Sequence, residues 1–436
     1  MNTFSSSLLL AALAAGAGHA AAASYYVAPG GDDGAAGTLE APWQTVMHAQ
    51  ARVQPGDTVF FRGGQYLIAS ATKGCASRTD AVDAIRLSKS GAEGRPIRYW
   101  AYPGETPVFD FSRMKDDCRV KGFNVSADWL HLKGLEITGA PQQPENRLNH
   151  ESWGLWINGS HNVFELLNTH HNMGPGVFIK DGGDNLVLNS DSHHNYDPYT
   201  SNGAGQSADG FGAHIGANHP GNVFRGCRAW MNTDDGFDLI NAFSAVTIEN
   251  SWAWQHGYLP GTKTSLPAGN GNGIKAGGYG GKFSGAQVVH VVRNSVAFNN
   301  KVNGFYANHH PVALDFFNNT SFGNGSQFNM LGIDADGKPV NLGNLRNNVA
   351  WKGVTAVHIA GASEQNNSWN LAEPVGEADF EGVSTEGWDA PRQADGGLPV
   401  LKQFHLAAGS KLIDKGVKLG LPFKGAAPDL GAFERQ

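Results

Sequence analysis

From about residue 168 onward, the apolar residues of this chain occur in short runs that are separated by Gly, Asn and His. The runs are rich in β-branched and aromatic side chains, as in VFIK, GFDLIN, VTIENSWAW and QVVHVVRNSVAF. They show no 3.6-residue periodicity of the kind that marks an amphipathic helix. The pattern therefore predicts short β-strands.

The runs repeat with a fixed period that is marked by Asn. Asn172 and Asn195 are 23 residues apart, and Asn300 and Asn324 are 24 residues apart. A unit of this size cannot bury its own apolar face, so it has to stack on its neighbours in parallel register. The sequence predicts an all-β, single-domain, right-handed parallel β-helix, and the recurring Asn side chains are expected to form an inward ladder at its turns.

The two ends of the chain depart from this repeat. Leu8 to Ala17 is an apolar stretch followed by small residues, which predicts a signal peptide over 1–23 and export to the periplasm or the extracellular space. The β-helix domain is expected to span 24–436, and Trp43 to Ala51 should form a short helix that caps its first coil. The period is lost from about residue 371, so we expect the irregular segment 371–436 to fold back along the solenoid.

Composition narrows the classes of partner. Glycine supplies 58 of the 436 residues and charged side chains only 16%, as expected for a chain rich in turns. The formal net charge of -7 offers no basic footprint for nucleic acid or for an anionic membrane. Beyond the N-terminal stretch, no apolar run is long enough to span a bilayer. We expect a soluble monomer with neither a nucleic-acid nor a membrane partner.

The three cysteines allow one disulfide and one free thiol in an oxidising compartment. Cys75 and Cys118 lie in polar, turn-like stretches, whereas Cys227 lies inside a repeat. The sequence favours a disulfide between Cys75 and Cys118 and a buried Cys227. The alternative is that all three thiols are reduced.

Two insertions interrupt the repeat. The spacing of the marker position rises to 37 residues after Asn195 and to 44 residues after His256, so extra residues fall at 198–208 and 258–270. Both insertions precede a strand in which Gly is followed by an apolar residue. They should project from the same edge of one sheet and form the wall of a groove, and loops on a rigid scaffold are where function concentrates.

The strands beside these insertions have an outward row of side chains. The apolar residue after each Gly is expected to point inward, so the next residue points outward. This outward row reads Phe178, Gly212, Asp238, Lys275 and Tyr306. Adjacent strands are about 4.8 Å apart, so Asp238 and Lys275 should lie side by side on the floor of the groove.

Four carboxylates converge on this groove. Asp209 and Asp235 precede the glycines of adjacent coils, Asp234 precedes Asp235, and Asp238 lies in the outward row. Such carboxylates repel one another unless a cation lies among them, and an all-oxygen set from turns and strands suits Ca²⁺. The alternative is that they cap turns by accepting backbone N–H groups, which is of no use to Asp238 in the middle of a strand. We predict a calcium site.

Lys275 is the candidate general base. An outward lysine on a sheet can also be a solvated charge or an ion-pair partner of Asp238. A divalent cation and a partly desolvated groove both disfavour the ammonium form, which would lower the lysine pKa and leave an amine able to accept a proton. A neutral amine beside Ca²⁺ can remove the proton alpha to the carboxylate of a uronic acid.

Three segments resemble the calcium-dependent pectate lyases of polysaccharide lyase family 9, which are right-handed parallel β-helices. They are SADGF (207–211), NTDDGFDL (232–239) and GNGIKAGG (271–278). The resemblance covers most of the chain beyond its N-terminal apolar stretch. It implies a secreted enzyme that cleaves polygalacturonate or a related anionic uronic-acid polysaccharide by β-elimination and releases 4,5-unsaturated oligouronides.

The resemblance also assigns roles to residues. The position that matches Lys275 is the catalytic base of that family, and its calcium ligands match Asp209, Asp234, Asp235 and Asp238. Members of the family also act on other uronic polymers, so the resemblance implies the fold and the calcium ion but does not identify one polymer as the substrate.

Three further residues are predicted to contact the sugar. Lys180 and His214 each fall four positions after the glycine of their strand, which places them outward by parity, and Tyr306 follows Lys275 in the outward row.

Two other functions are compatible with parts of the sequence. Asn232 to Asp234 and Ile274 to Lys275 echo short motifs of β-helix polygalacturonases, but the Gly-His-Gly motif and the separate Asp pair of those hydrolases are missing. A non-catalytic glycan-binding β-helix would leave the pairing of Lys275 with four aspartates unexplained.

Overall fold

The structure is a computed structural model that describes residues 21–71, 73–77, 79–143, 151–352 and 356–435. Residues 1–20 of the predicted signal peptide lie outside the described residues. Within the described ranges, the chain winds through three parallel sheets, here called A, B and C, with twelve, ten and ten strands.

The strands of sheet A are Ser24–Val27, Thr58–Phe61, Ile97–Ala101, Leu130–Lys133, Val163–Glu165, Leu186–Leu188, Asn222–Arg225, Val246–Glu249, Val291–Arg293, Leu314–Phe317, Gly343–Arg346 and Ser363–Gln365. The strands of sheet B are Gly64–Leu67, Pro107–Asp110, Glu136–Thr138, Asn168–His170, Asp191–His193, Arg228–Trp230, Trp252–Trp254, Val296–Phe298, Thr320–Phe322 and Val349–Trp351. The strands of sheet C are Ala81–Leu87, Arg119–Val125, Trp153–Ile157, Val177–Ile179, Phe211–Ala213, Phe237–Asp238, Ile274–Lys275, Asn303–Tyr306, Ser326–Asn329 and Ala356–His358. The remaining elements are the α-helix Val46–Arg52, an antiparallel hairpin of Leu331–Ile333 with Pro339–Asn341, and two short 3₁₀ helices, Ser368–Asn370 and Glu377–Asp379.

This arrangement confirms the predicted parallel β-helix. Through the central coils, each turn of the solenoid supplies one strand to sheet C, then one to sheet A and one to sheet B. The inward residues stack from coil to coil, and the rings of Phe211 and Phe237 lie 5.0 Å apart with both side chains fully buried. Burial of aromatic side chains of this size contributes strongly to the stability of a core.

The predicted Asn ladder is present at the corner that leads into sheet C. The Asn195 backbone N–H donates to Asn232 Oδ1 at 3.1 Å, and the His256 N–H donates to Asn300 Oδ1 at 3.2 Å. His256 takes the place of an Asn, because its Nδ1 accepts the Asn232 N–H at 3.2 Å. The ladder therefore satisfies buried backbone groups that no strand reaches.

The capping helix begins later than the sequence predicts. It spans Val46–Arg52, and the Thr45 hydroxyl accepts the His48 N–H as its N-cap. Trp43 pairs with Val27 as an isolated β-bridge, so it extends the edge of sheet A and cannot belong to the helix.

The C-terminal segment lies against the outer face of sheet B. Trp388 packs on Trp252 with ring centroids 4.6 Å apart, and Phe404 stacks on Phe322 at 3.6 Å. Arg228 ties the two parts together, because it donates to the Trp388 carbonyl oxygen at 3.1 Å. The segment thus covers an apolar surface of the solenoid.

The structure contains the favoured disulfide between Cys75 and Cys118, and Cys227 is a buried free thiol. Among the described residues, no helix has the length and apolar character that a membrane crossing requires.

Candidate active site

Sheet C carries the outward row that the sequence predicts. Phe178 pairs with Gly212, Gly212 with Asp238, Asp238 with Lys275, and Lys275 with Tyr306. The predicted register is therefore confirmed. The absence of a side chain at Gly212 matters, because a Cβ there would lie 2.7 Å from the Phe178 ring.

The two insertions meet and form one wall beside this row. A Cβ at Gly203 would lie 2.6 Å from the Ala268 Cβ, and one at Gly205 would lie 2.7 Å from the Leu266 Cδ1. Lys301 holds the second insertion, since its Nζ donates to the carbonyl oxygens of Leu266 at 2.6 Å and of Gly269 at 2.8 Å.

Between the wall and the sheet lies a cavity of about 300 Å³. Its lining includes five of the predicted site residues, together with residues from the insertions and from neighbouring strands: Glu151, Pro175, Phe178, Gln206, Ser207, Asp209, His214, Asp234, Asp238, Ile240, Asn270 and Lys275. A concave site with convergent carboxylates and one amine is the usual setting for catalysis on a small portion of a larger substrate.

Lys275 lies at the floor of this cavity as an ion pair with two carboxylates. Its Nζ is 3.0 Å from Asp238 Oδ2 and 3.1 Å from Asp235 Oδ2, and the residue is only 7% exposed. Burial by itself would lower the lysine pKa, but attraction by Asp238, Asp235, Asp234 and Asp209 raises the pKa well above its ordinary value. Among these carboxylates the amine therefore keeps its proton, in contrast to the lowered pKa that the sequence predicts beside a bound cation.

Three of the predicted ligands form a compact carboxylate group. Each of Asp209, Asp234 and Asp235 offers an oxygen within 4.8 Å of those of the other two, and among the described residues this is the one such group. Burial first, and then repulsion between neighbouring carboxylates, raises the pKa of Asp209 and of Asp234 well above the ordinary range. Asp235 Oδ2 is buried and lies 3.1 Å from the Lys275 Nζ. This all-oxygen set fits a hard divalent cation, which would relieve the repulsion between the carboxylates.

Asp238 lies outside that compact group. Its Oδ2 faces Lys275, its Oδ1 accepts the Ile240 N–H at 2.8 Å, and His214 Nε2 is 3.7 Å away. Burial would raise the pKa of this carboxyl, but the Lys275 charge and His214 lower it below the ordinary value. Asp238 is thus an ionised partner of the lysine.

The three predicted sugar contacts are placed differently from one another. His214 lines the cavity and packs edge-on against Phe178 at 4.7 Å between ring centroids. Tyr306 lies beside Lys275 on the next strand, with its hydroxyl 3.3 Å from His309 Nδ1. Lys180 is exposed outside the lining of the cavity, and its Nζ reaches the His214 carbonyl oxygen at 3.4 Å.

The sequence reasoning missed two residues that hold the carboxylates. The Asn270 N–H donates to Asp234 Oδ1 at 2.6 Å. Asn272 donates to Asp235 Oδ1 from both its backbone N and its Nδ2, each at 2.8 Å. A signal for Asn272 was available, because it occupies the same position before the strand glycine as Asp209 and Asp235 do in their coils.

Several proteins that are similar to this chain in sequence and fold are lyases. Pectate lyase L of Dickeya dadantii (strain 3937) is 38% identical over 392 residues, which cover 89% of this chain and 84% of the relative. Pectate lyase PEL9 of Emericella nidulans is 30% identical and covers 84% of this chain and 87% of the relative. The crystal structure of pectate lyase Pel9A matches with a TM-score of 0.79 and 36% identity over 95% of this chain and 96% of that one. A rhamnogalacturonan lyase matches with a TM-score of 0.81 and 34% identity over 88% and 96%.

A parallel β-helix with this site and these relatives is an enzyme of the polysaccharide lyase class. The family model described as "Pel9A-like, right handed beta helix region" matches residues 25–348. The chain belongs to that family.

Proposed function

We propose that the chain is a secreted, calcium-dependent pectate lyase that cleaves polygalacturonate or a related uronic-acid polymer by β-elimination. The observation that carries this proposal is the placement of one buried amine, Lys275, within 3.1 Å of Asp235 and Asp238 and beside the compact carboxylate group. An amine and a hard-cation site in contact are the two components that proton abstraction next to a carboxylate requires.

Asp209, Asp234 and Asp235 would hold the calcium ion. Asp238, the fourth ligand predicted from the sequence, pairs through Oδ2 with the Lys275 Nζ, as Asp235 does. A cation held by these carboxylates would compete with the lysine charge for them, so ion binding would favour deprotonation of the base.

A bound Ca²⁺ ion would neutralise the uronate carboxylate, acidify the proton at C5 and disfavour the ammonium form of Lys275. The neutral Nζ then accepts the C5 proton. The electron pair of the broken C–H bond forms the C4–C5 double bond, and the bond from C4 to the glycosidic oxygen breaks. That oxygen keeps the bonding pair, takes a proton from water and leaves as a hydroxyl, and the Lys275 ammonium then returns its proton to the solvent.

Other side chains would orient the polymer. His214 and Tyr306 flank Asp238 and Lys275 on neighbouring coils, which supports contacts with the sugar on either side of the cleaved bond. Lys180 lies outside the cavity lining and would contact a uronate carboxylate farther along the bound polysaccharide.

Export is part of the proposal. The N-terminal apolar stretch supports a signal peptide over 1–23, and the Cys75–Cys118 disulfide fits an oxidising compartment. The mature catalytic domain would then be 24–436.

The test is a panel of uronic-acid polymers incubated with the full mature chain, once with Ca²⁺ and once with excess chelator. Polygalacturonate with Ca²⁺ should give a product with the ultraviolet absorbance of an unsaturated uronide, and the chelated sample should not. New reducing ends without that absorbance would indicate hydrolysis, and binding without any product would indicate a glycan-binding module. Either result would overturn the proposal.

The similarity to a rhamnogalacturonan lyase supports a second candidate substrate. If rhamnogalacturonan gives the higher kcat/KM in the same panel, the β-elimination chemistry stands and the polymer is reassigned.

A further inference from the structure

A chain of side-chain amides runs along the groove face of sheet C and ends in the carboxylate group. Asn329 Nδ2 donates to Asn303 Oδ1 at 3.2 Å, Asn303 Nδ2 donates to Asn272 Oδ1 at 2.6 Å, and Asn272 Nδ2 donates to Asp235 Oδ1 at 2.8 Å. Asn272 and Asn303 are each only 3% exposed. We call these three asparagines the amide relay.

The carboxylate at its end fixes the direction of the whole relay. An ionised carboxylate can only accept hydrogen bonds, so Asn272 has to present its NH₂ group to Asp235. The Asn272 carbonyl oxygen then faces Asn303, which has to present its own NH₂ group. The same reasoning orients Asn329, so one charge orders three amides in successive coils.

The relay also fixes the orientation of the Asp235 carboxylate. Asp235 Oδ1 receives two N–H groups from Asn272, which leaves Oδ2 as the oxygen that faces Lys275. Hydrogen bonds to a charged acceptor are stronger than neutral ones, and aligned amides polarise one another. The carboxylate is therefore held in one rotamer before any ligand arrives.

An asparagine at the corner between sheets A and B shows the contrast with a purely structural amide. Asn319, in the same coil as Asn303, accepts the Ser295 N–H at 3.0 Å and donates to the Val292 carbonyl oxygen at 2.9 Å. It also donates to Asn348 Oδ1 at 3.1 Å, and none of these partners lines the cavity.

We propose that Asn272, Asn303 and Asn329 are positioning residues that set the affinity of the cation site through Asp235. The proposal rests on the proposed function, in which Asp209, Asp234 and Asp235 hold Ca²⁺. Partners behind a metal ligand commonly change metal affinity by about 10- to 100-fold when they are removed. The effect should decrease with distance from Asp235 along the relay.

The test measures the Kd of Ca²⁺ by calorimetric titration of the folded, full mature chain. Asn272→Ala should raise the Kd most, Asn303→Ala by about 10-fold, at the low end of the range for such partners, and Asn329→Ala least. The matched control is Asn319→Ala, which should lower the melting temperature and leave the Kd unchanged. In Asn303→Ala, raising the calcium concentration should recover lost turnover, because Lys275 itself is intact.

Melting temperatures of all variants separate loss of fold from loss of affinity. If Asn272→Ala does not fold, the Asn303 and Asn329 variants decide the question. An unchanged Kd in folded Asn303→Ala and Asn329→Ala, beside normal binding by the unsubstituted chain, overturns the relay alone. No calcium binding by the unsubstituted chain overturns the proposed function and the relay with it.

Discussion

Lys275 and Asp238 occupy paired positions on adjacent strands of sheet C, and their side chains meet at 3.0 Å between Nζ and Oδ2. Both are nearly fully buried, so neither charge is compensated by solvent. A buried pair of this kind is strongly destabilised when one partner is removed, because the other charge is then left alone. The pair keeps the amine in place while it still carries its proton.

Replacement of Lys275 tests its role as the base. Lys275→Ala should lower kcat by at least about 10²-fold, because general-base contributions are commonly about 10²–10⁴-fold. Lys275→Arg should fail almost as badly, since the guanidinium stays protonated at any working pH. Turnover of the unsubstituted chain should rise with pH until the amine is neutral. The exposed Lys282→Ala is the control, and a Lys275→Ala variant that keeps more than about a tenth of the turnover would place the base elsewhere.

Removal of the ion, or of one of its ligands, tests the carboxylate group. Excess chelator should abolish turnover and added Ca²⁺ should restore it. Asp234→Ala should lose both calcium binding, measured by calorimetry, and turnover, because it removes one of three clustered carboxylates. Asp336→Ala removes a carboxylate that is exposed in a hairpin turn and should change neither quantity. Full activity in excess chelator would contradict the calcium assignment.

His256 makes the stability of the solenoid sensitive to acid. Burial lowers the pKa of this imidazole to about 3, whereas it is about 6.5 in an unfolded chain. Between these values the unfolded state binds the extra proton, so stability falls as pH falls from about 6.5 to about 3, by about 5 kcal/mol. His256→Asn should reduce that slope, because an asparagine side chain does not titrate. The solenoid should still fold, because an Asn Oδ1 can accept the Asn232 N–H in place of Nδ1. Free energies of unfolding measured across this pH range decide it; equal slopes in both proteins would show that the imidazole is not held neutral.

The disulfide should contribute to stability through the unfolded state. It closes a loop of 43 residues, for which loop-closure entropy gives about 4 kcal/mol. A Cys75→Ser, Cys118→Ser double variant should lower the free energy of unfolding by up to that amount in denaturant titrations. Cys227→Ser is the control, because it changes a buried thiol that forms no cross-link. It should leave the loss of stability on addition of reductant unchanged. If reductant leaves the stability of the unsubstituted chain unchanged, the cross-link contributes nothing.

The register of the outward row could be predicted from the sequence because it depends on two local rules. The strand glycines align the coils, and alternation along each strand then places Phe178, Asp238 and Lys275 on one face. The same rules gave the inward Phe residues and the ladder positions.

Other features depend on three-dimensional contacts that no spacing encodes. Asp235 belongs to the compact carboxylate group and also faces Lys275 at 3.1 Å, and its position before a glycine does not reveal this double role. The predicted capping helix began too early because Trp43 pairs with Val27 at the edge of sheet A, and the spacing of the repeat does not indicate that contact. The direction of the Asn272 amide follows from the charge beside it, which becomes a neighbour only after folding.

The C-terminal segment across sheet B changes how the molecule should come apart. A stack of coils alone behaves as a one-dimensional array, in which the ends can fray one repeat at a time. Here Arg392 donates to Asp191 Oδ1 and to the Gly226 carbonyl oxygen, and Trp388 packs on Trp252, so the C-terminal segment forms a strap across several coils of sheet B. Loss of the middle coils would also require release of the strap. The coils that hold the carboxylates and Lys275 should accordingly unfold as one cooperative unit, and proteases should not cleave them before the whole unit opens.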